Sequence, residues 1–97
     1  MHHIESESLN QLFDVIVNLQ SREECSKFFE DICTVKELLD LAQRLDVAVL
    51  LDQGVSYQAI AQRINVSTAT ISRVSRCLNY GSGGYRTALD RLGEDKK

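Results

Sequence analysis

Eleven apolar residues crowd one short stretch: Val35, Leu38, Leu39, Leu41, Ala42, Leu45, Val47, Ala48, Val49, Leu50 and Leu51. Wound as a helix, they point in almost every direction around its axis. A helix apolar on all sides has to be buried on all sides. The whole chain is 97 residues long, and small chains bury a small fraction of their surface. One such domain can hardly enclose this helix alone, so a second copy of the chain is expected to cover it. The competing reading is a monomer with a densely packed central helix. A membrane span is not indicated, because no apolar run reaches the roughly 18 residues that one requires.

The remaining sequence reads as further helices. Ser6 or Ser8 can cap a first one, with Leu9, Leu12, Phe13, Ile16 and Val17 forming its apolar stripe. Ser21 with Glu24 has the spacing of a capping box, as does Thr34 with Glu37 ahead of the apolar helix. Gln53-Gly54 ends that helix near Asp52. Ser56 caps a fourth helix from Tyr57 to about Ile64, and Ser67 a fifth to about Asn79. A glycine-rich joint at Gly81–Gly84 leads to a last helix over 85–92, with a charged, frayed tail from Gly93. No strand pattern and no internal repeat occurs. The expected architecture is all-α, about six helices, in one domain over 1–97. Residues 1–52 would serve assembly, 56–79 would form a helix-turn-helix, and 85–92 the C-terminal helix.

The formal net charge of −3 hides a division. Residues 1–52 hold 4 Lys/Arg against 11 Asp/Glu, and residues 53–97 hold 7 against 3. Residues 53–89 contain no acid but include Arg63, Arg73, Arg76 and Arg86. A surface that faces phosphates needs such a clearing, since a stray carboxylate repels the polyanion.

Tyr57–Val74 fits a helix-turn-helix. Ala61 is small where the two helices approach. Ile60, Ile64, Val66, Ile71 and Val74 face inward, and Asn65 suits a left-handed turn position. On a helical wheel, Ile71, Val74 and Leu78 share one side of the second helix, while Ala69, Ser72, Arg73 and Arg76 share the other. A small, polar and basic face suits the DNA major groove, where arginine reaches guanine edges or phosphates. Ser67 and Thr68 stand at the helix start, where hydroxyls and free N–H groups hold a phosphate. Gln58 opens the preceding helix and is expected to reach the DNA backbone or an adenine edge. The predicted DNA-binding set is therefore Gln58, Ser67, Thr68, Ala69, Ser72, Arg73 and Arg76.

Other chemistries find little support. Cys25, Cys33 and Cys77 are widely spaced, and the two histidines, His2 and His3, sit at the chain start, so neither a zinc site nor another cofactor is expected. No nucleophile–base pair points to an enzyme. The glycine-rich joint lacks the lysine of a P-loop. Reduced cysteines and the lack of a secretory pattern make a cytoplasmic protein the expectation. The alternative to a DNA-binding regulator is a helical protein-interaction module, or a targeting subunit that does not bind DNA by itself.

The runs Thr34–Leu38, Leu41–Leu45 and Ser67–Gly81 resemble the Trp repressor superfamily, in particular its short YerC/YecD-type branch. That resemblance spans nearly the whole chain. It implies an intertwined, all-helical homodimer whose two helix-turn-helix heads read double-stranded DNA at half-sites about 34 Å apart. Trp repressor contacts bases largely through water, a mode that Thr68, Ala69 and Ser72 would suit. In the tryptophan-sensing members two arginines hold the amino acid. Arg73 matches one of them. The ungapped alignment puts Gln43 at the other, with Arg44 one step away. Thr70 matches a threonine near the ligand, so Arg44, Thr70 and Arg73 outline a vestigial effector site. A glycine that makes room for the indole is Val74 here, and a serine near the ligand's amino group is Cys77. One anchor displaced and a filled cavity imply a regulator that does not respond to tryptophan.

Overall fold

The computed structural model describes residues 6–95, with side chains to Glu94. His2, His3, Lys96 and Lys97 lie outside this range. Among the described residues there are six helices and no strand: α1 Glu7–Val17, α2 Arg22–Ile32, α3 Val35–Asp52, α4 Tyr57–Ile64, α5 Thr68–Tyr80 and α6 Gly84–Asp95. The all-α expectation holds. None of these helices is long and apolar enough to cross a membrane. The chain divides into two compact units, one up to Leu39 and one from Asp40 onward, with α3 contributing to both.

In the first unit the helix starts are set by side-chain caps. Ser6 Oγ accepts the Leu9 N–H at 3.0 Å, and Ser21 Oγ accepts the Glu24 N–H at 3.1 Å. Glu24 reaches back one residue past the cap and accepts from Gln20 N–H at 2.8 Å. The Thr34 box is fully reciprocal: Thr34 N–H donates to Glu37 Oε1 at 2.8 Å, and Glu37 N–H to Thr34 Oγ1 at 3.1 Å. Hydrogen bonding from the Thr34 backbone N–H, and then from its side chain, holds the Glu37 carboxyl below its ordinary pKa. Yet no residue of α1 or α2 is buried. Phe28 and Phe29 meet edge to face, with ring centroids 5.4 Å apart. This unit also has an open, mainly apolar cleft of about 360 Å³, lined by Glu30, Cys33, Thr34, Val35, Leu38 and Leu39.

The second unit has a core. Val47, Ala48, Ile60, Ile71, Val74 and Leu89 are buried together, ringed by half-buried Leu50, Val55, Ile64, Val66, Leu78 and Tyr85. Each fully buried aliphatic side chain contributes about 1.5–3 kcal/mol. α3 ends in a Schellman arrangement, in which Val55 N–H donates to Leu50 C=O and Gly54 N–H to Leu51 C=O, both at 3.0 Å. Gly54 has φ +82°, a left-handed conformation that a side chain would disfavour.

α3 is not buried on all sides by its own chain. Val47 and Ala48 are its buried residues. Val35 is 76% exposed, Leu39 63%, Leu41 45% and Leu45 40%. α6 differs from expectation at both ends: it begins at Gly84 and continues through Gly93 to Asp95, where fraying had been expected. A single exposed glycine weakens a helix by only about 1 kcal/mol, too little to end one here.

Candidate nucleic-acid interface

α4 and α5 form a helix pair joined by Asn65, Val66 and Ser67. Ser56 Oγ caps α4 by accepting the Ala59 N–H at 3.2 Å. Asn65 closes it with φ 58° and ψ 51°, the left-handed geometry expected of that position. Val66 packs on the core as the chain turns. Ser67 Oγ then caps α5 by accepting the Thr70 N–H at 3.1 Å, and shares a second hydrogen bond with the Thr70 hydroxyl, also 3.1 Å away. The turn is fixed by these contacts, so the direction of α5 follows from that of α4.

The inner side of α5 is formed by Ile71 and Val74, both buried, with Leu78 half-buried beside them. Its outer side carries Thr68, Ala69, Ser72, Arg73 and Arg76, all exposed. Gln58 and Arg63 on α4 are exposed as well. Arg63, Arg73 and Arg76 meet no carboxylate among the described residues. α5 itself contains no acidic residue. The Ser67 hydroxyl, by contrast, is largely occupied by its capping role. The backbone N–H groups of Thr68 and Ala69 are the ones that this cap leaves open at the positive end of the helix.

Two features lie outside the residues expected at this face. Tyr80 is 83% exposed in the last turn of α5, and its helical angle puts it in line with Ala69 and Arg76. Its exposure on that side could have been found from the wheel. Arg86, grouped by sequence with the other arginines, instead forms ion pairs with Asp52 at 2.7 Å and Asp90 at 2.8 Å. The acid-free run in sequence is therefore not acid-free in space around Arg86.

Behind the exposed face lies an open cleft of about 190 Å³, lined by Arg44, Thr70, Arg73, Val74, Cys77 and Tyr85. Arg44 is among its lining residues, and Gln43 is not. Arg44, Thr70 and Arg73 thus line one cleft. Val74 forms part of the wall, and space remains beside it. The three cysteines are free and half-buried.

A helix pair on a short, fixed turn, with an exposed and acid-free outer side on its second helix, defines a class of all-helical protein. Within that class the family is clear. Residues 7–93 match the family model described as Trp repressor protein. The chain is 50% identical over 91 residues to a Bacillus subtilis (strain 168) protein named "Uncharacterized protein YerC", covering 94% of this chain and 88% of that one. A crystal structure of a protein proposed as a Trp repressor from Staphylococcus aureus superimposes with a TM-score of 0.86 at 48% identity, covering 92% of this chain and 89% of that chain. A TrpR-like protein from Eubacterium eligens ATCC 27750 gives 0.87 at 46% identity, covering 92% of each. The chain belongs to the Trp repressor family.

Proposed function

We propose that this protein is a cytoplasmic, sequence-specific DNA-binding transcription regulator, acting as a repressor and as a homodimer. The observation that carries the reading is the outer face of α5. Arg73 and Arg76 project from it without carboxylate partners among the described residues, and small side chains surround them. Bulk would keep a helix out of the major groove, while Thr68, Ala69 and Ser72 allow close approach. The N–H groups at the start of α5 would hold a phosphate and fix the register, Gln58 would touch the adjoining backbone, and the arginines would read base edges.

Uncovered apolar surface supports the homodimer. Phe13 is 52% exposed, Val17 76% and Ile32 53%, in addition to Val35 and Leu39. Exposed apolar residues this numerous in a short chain mark an association surface. A second copy supplies a partner of matching character under two-fold symmetry. Two α5 faces would then meet half-sites about one helical turn apart.

No response to tryptophan is proposed. Arg44 and Arg73 supply two positive charges at the cleft, but Val74 and Tyr85 occupy wall positions beside them. Millimolar L-tryptophan should change DNA affinity by less than about threefold, a coupling below the ordinary allosteric range.

Arg73→Ala and Arg76→Ala test the reading. Each should weaken specific DNA binding by about 1–3 kcal/mol, with helicity and sedimenting mass unchanged. Loss of folding would instead make the arginines structural. Binding should also weaken steeply as salt rises. A chain that is not retained on mixed genomic DNA at low salt would be an interaction module.

A further inference from the structure

The acid-free run is bounded in sequence by Asp52 on one side and Asp90 on the other. In the folded chain both acids converge on Arg86. Its Nη1 donates to Asp52 Oδ1 at 2.7 Å and its Nη2 to Asp52 Oδ2 at 3.0 Å, a two-pronged fork. Its Nε donates to Asp90 Oδ1 at 3.0 Å. Two carboxylates around one guanidinium leave no net positive charge to offer a phosphate. An isolated surface ion pair contributes little, but the planar fork of an arginine on a carboxylate fixes direction as well as distance.

The fork joins elements that matter for the proposed interface. Asp52 is the last residue of α3, and Arg86 lies in the first turn of α6. The path from α5 to α6 is narrow. A side chain at Gly81 would collide with the Cys77 carbonyl oxygen of α5, and Gly83 has φ +90°, a conformation open to glycine. Beyond this path, Tyr85, one residue before Arg86, packs on the cluster that contains Ile71 and Val74, and Leu89, three residues after it, belongs to that cluster. Those two residues are the inner side of α5. α6 therefore backs the helix whose outer side faces DNA in the proposal above, and the fork ties α6 to the end of α3.

We infer that the Arg86–Asp52 fork is a latch that sets the pose of α5, so that Arg86 and Asp52 are positioning residues for DNA recognition and neither touches DNA. The inference rests on the DNA-binding reading. It makes a prediction of unusual sign. Removing the Asp52 charge makes the protein less negative, which by simple electrostatics favours a polyanion. The latch requires the opposite.

The test compares wild type, Asp52→Asn, Arg86→Gln, Arg86→Lys and the Asp52→Asn/Arg86→Gln pair. Each is titrated with a DNA fragment selected by the wild type and with mixed-sequence DNA of equal length, over a range of salt. Asp52→Asn and Arg86→Gln should each weaken binding to the selected fragment by about threefold to tenfold. Binding to mixed-sequence DNA should stay within about twofold, because a lost phosphate contact would weaken both alike. The salt slope should not change, and the pair should lose no more than the worse single variant. Arg86→Lys keeps the charge without the fork, and should also lose discrimination. It serves as the deciding variant if the others do not fold. The latch is overturned if Asp52→Asn binds the selected fragment as tightly as wild type or more tightly. It is equally overturned by additive losses, by undiminished discrimination in Arg86→Lys, or by a slope reduced by about 0.9 in Arg86→Gln, the signature of one phosphate contact. A wild type that binds neither DNA sinks the DNA-binding reading and the latch together, whereas discrimination by wild type that survives in the variants sinks the latch alone.

Discussion

Residues up to Leu39 and residues from Asp40 onward solve the folding problem differently. In the first unit, serine, threonine and glutamate caps define the helices well, but no residue of α1 or α2 is buried. In the second, six residues form a buried cluster and the helices α4, α5 and α6 pack around it. Local signals are thus enough to start and stop a helix, while burial is what holds one in place. Isolated helices as short as α1 and α2 are marginal in water. The first unit is accordingly where the proposed second copy would add apolar cover. The second unit can hold the α5 face in position from within.

This contrast can be broken at either end. The largest effect is expected from a paired charge on the exposed apolar surface: Val35→Glu with Leu39→Glu should convert the dimer to a monomer mass in sedimentation, with much of the helicity of the first unit lost. An unchanged dimer mass would place the association surface elsewhere. Next, Ile71→Ala should destabilise the chain by about 2–5 kcal/mol in denaturant titration, the usual cost of a cavity in a packed core. Phe13→Ala should act differently, through the concentration dependence of the unfolding midpoint, since the ring is not buried within its own chain. A smaller effect is expected at the turn. Asn65→Val forces a branched side chain into the left-handed region and should cost about 1–2 kcal/mol, while Asn65→Gly should be close to neutral. Thermal melts of the two variants check this.

The smallest effect concerns pH. The hydrogen bonds from Arg86 hold the Asp52 carboxyl below its ordinary pKa. A carboxyl depressed in the folded state binds its proton more readily when unfolded. Its contribution to stability is therefore present above the ordinary carboxylate range, near pH 4, and fades as pH falls through the lower folded value. Because the pair is exposed to solvent, the effect is small. Asp52→Asn should slightly flatten the fall in melting temperature between pH 5 and pH 3. A steeper fall in the variant would contradict the assignment.

Much of this was legible in the residues. The limits of α3 and α4 coincide with the expected ones because Thr34, Gly54, Ser56 and Asn65 are strong start and stop signals with local causes. Ile60, Ile71 and Val74 are buried as their helical spacing requires. The exposed side of α5 follows from the same wheel. What was not legible depends on tertiary placement. Arg86 looked like its neighbours until Asp52, 34 positions earlier, came to meet it. Arg44 lines the cleft and Gln43 does not, which depends on how α3 is turned in the fold and not on a residue count. The length of α6 was hidden by Gly93, a weak break that helix propagation overrides.

The central claim is that two copies of this chain present paired α5 faces to DNA. Selecting bound fragments from a random-sequence pool with the purified wild-type protein tests it directly. The account predicts enrichment of an inverted repeat whose half-sites are centred about one helical turn apart, roughly 10 base pairs, with binding that weakens as salt rises. A pool that shows no enrichment, or a single half-site bound by a protein of monomer mass, would contradict it.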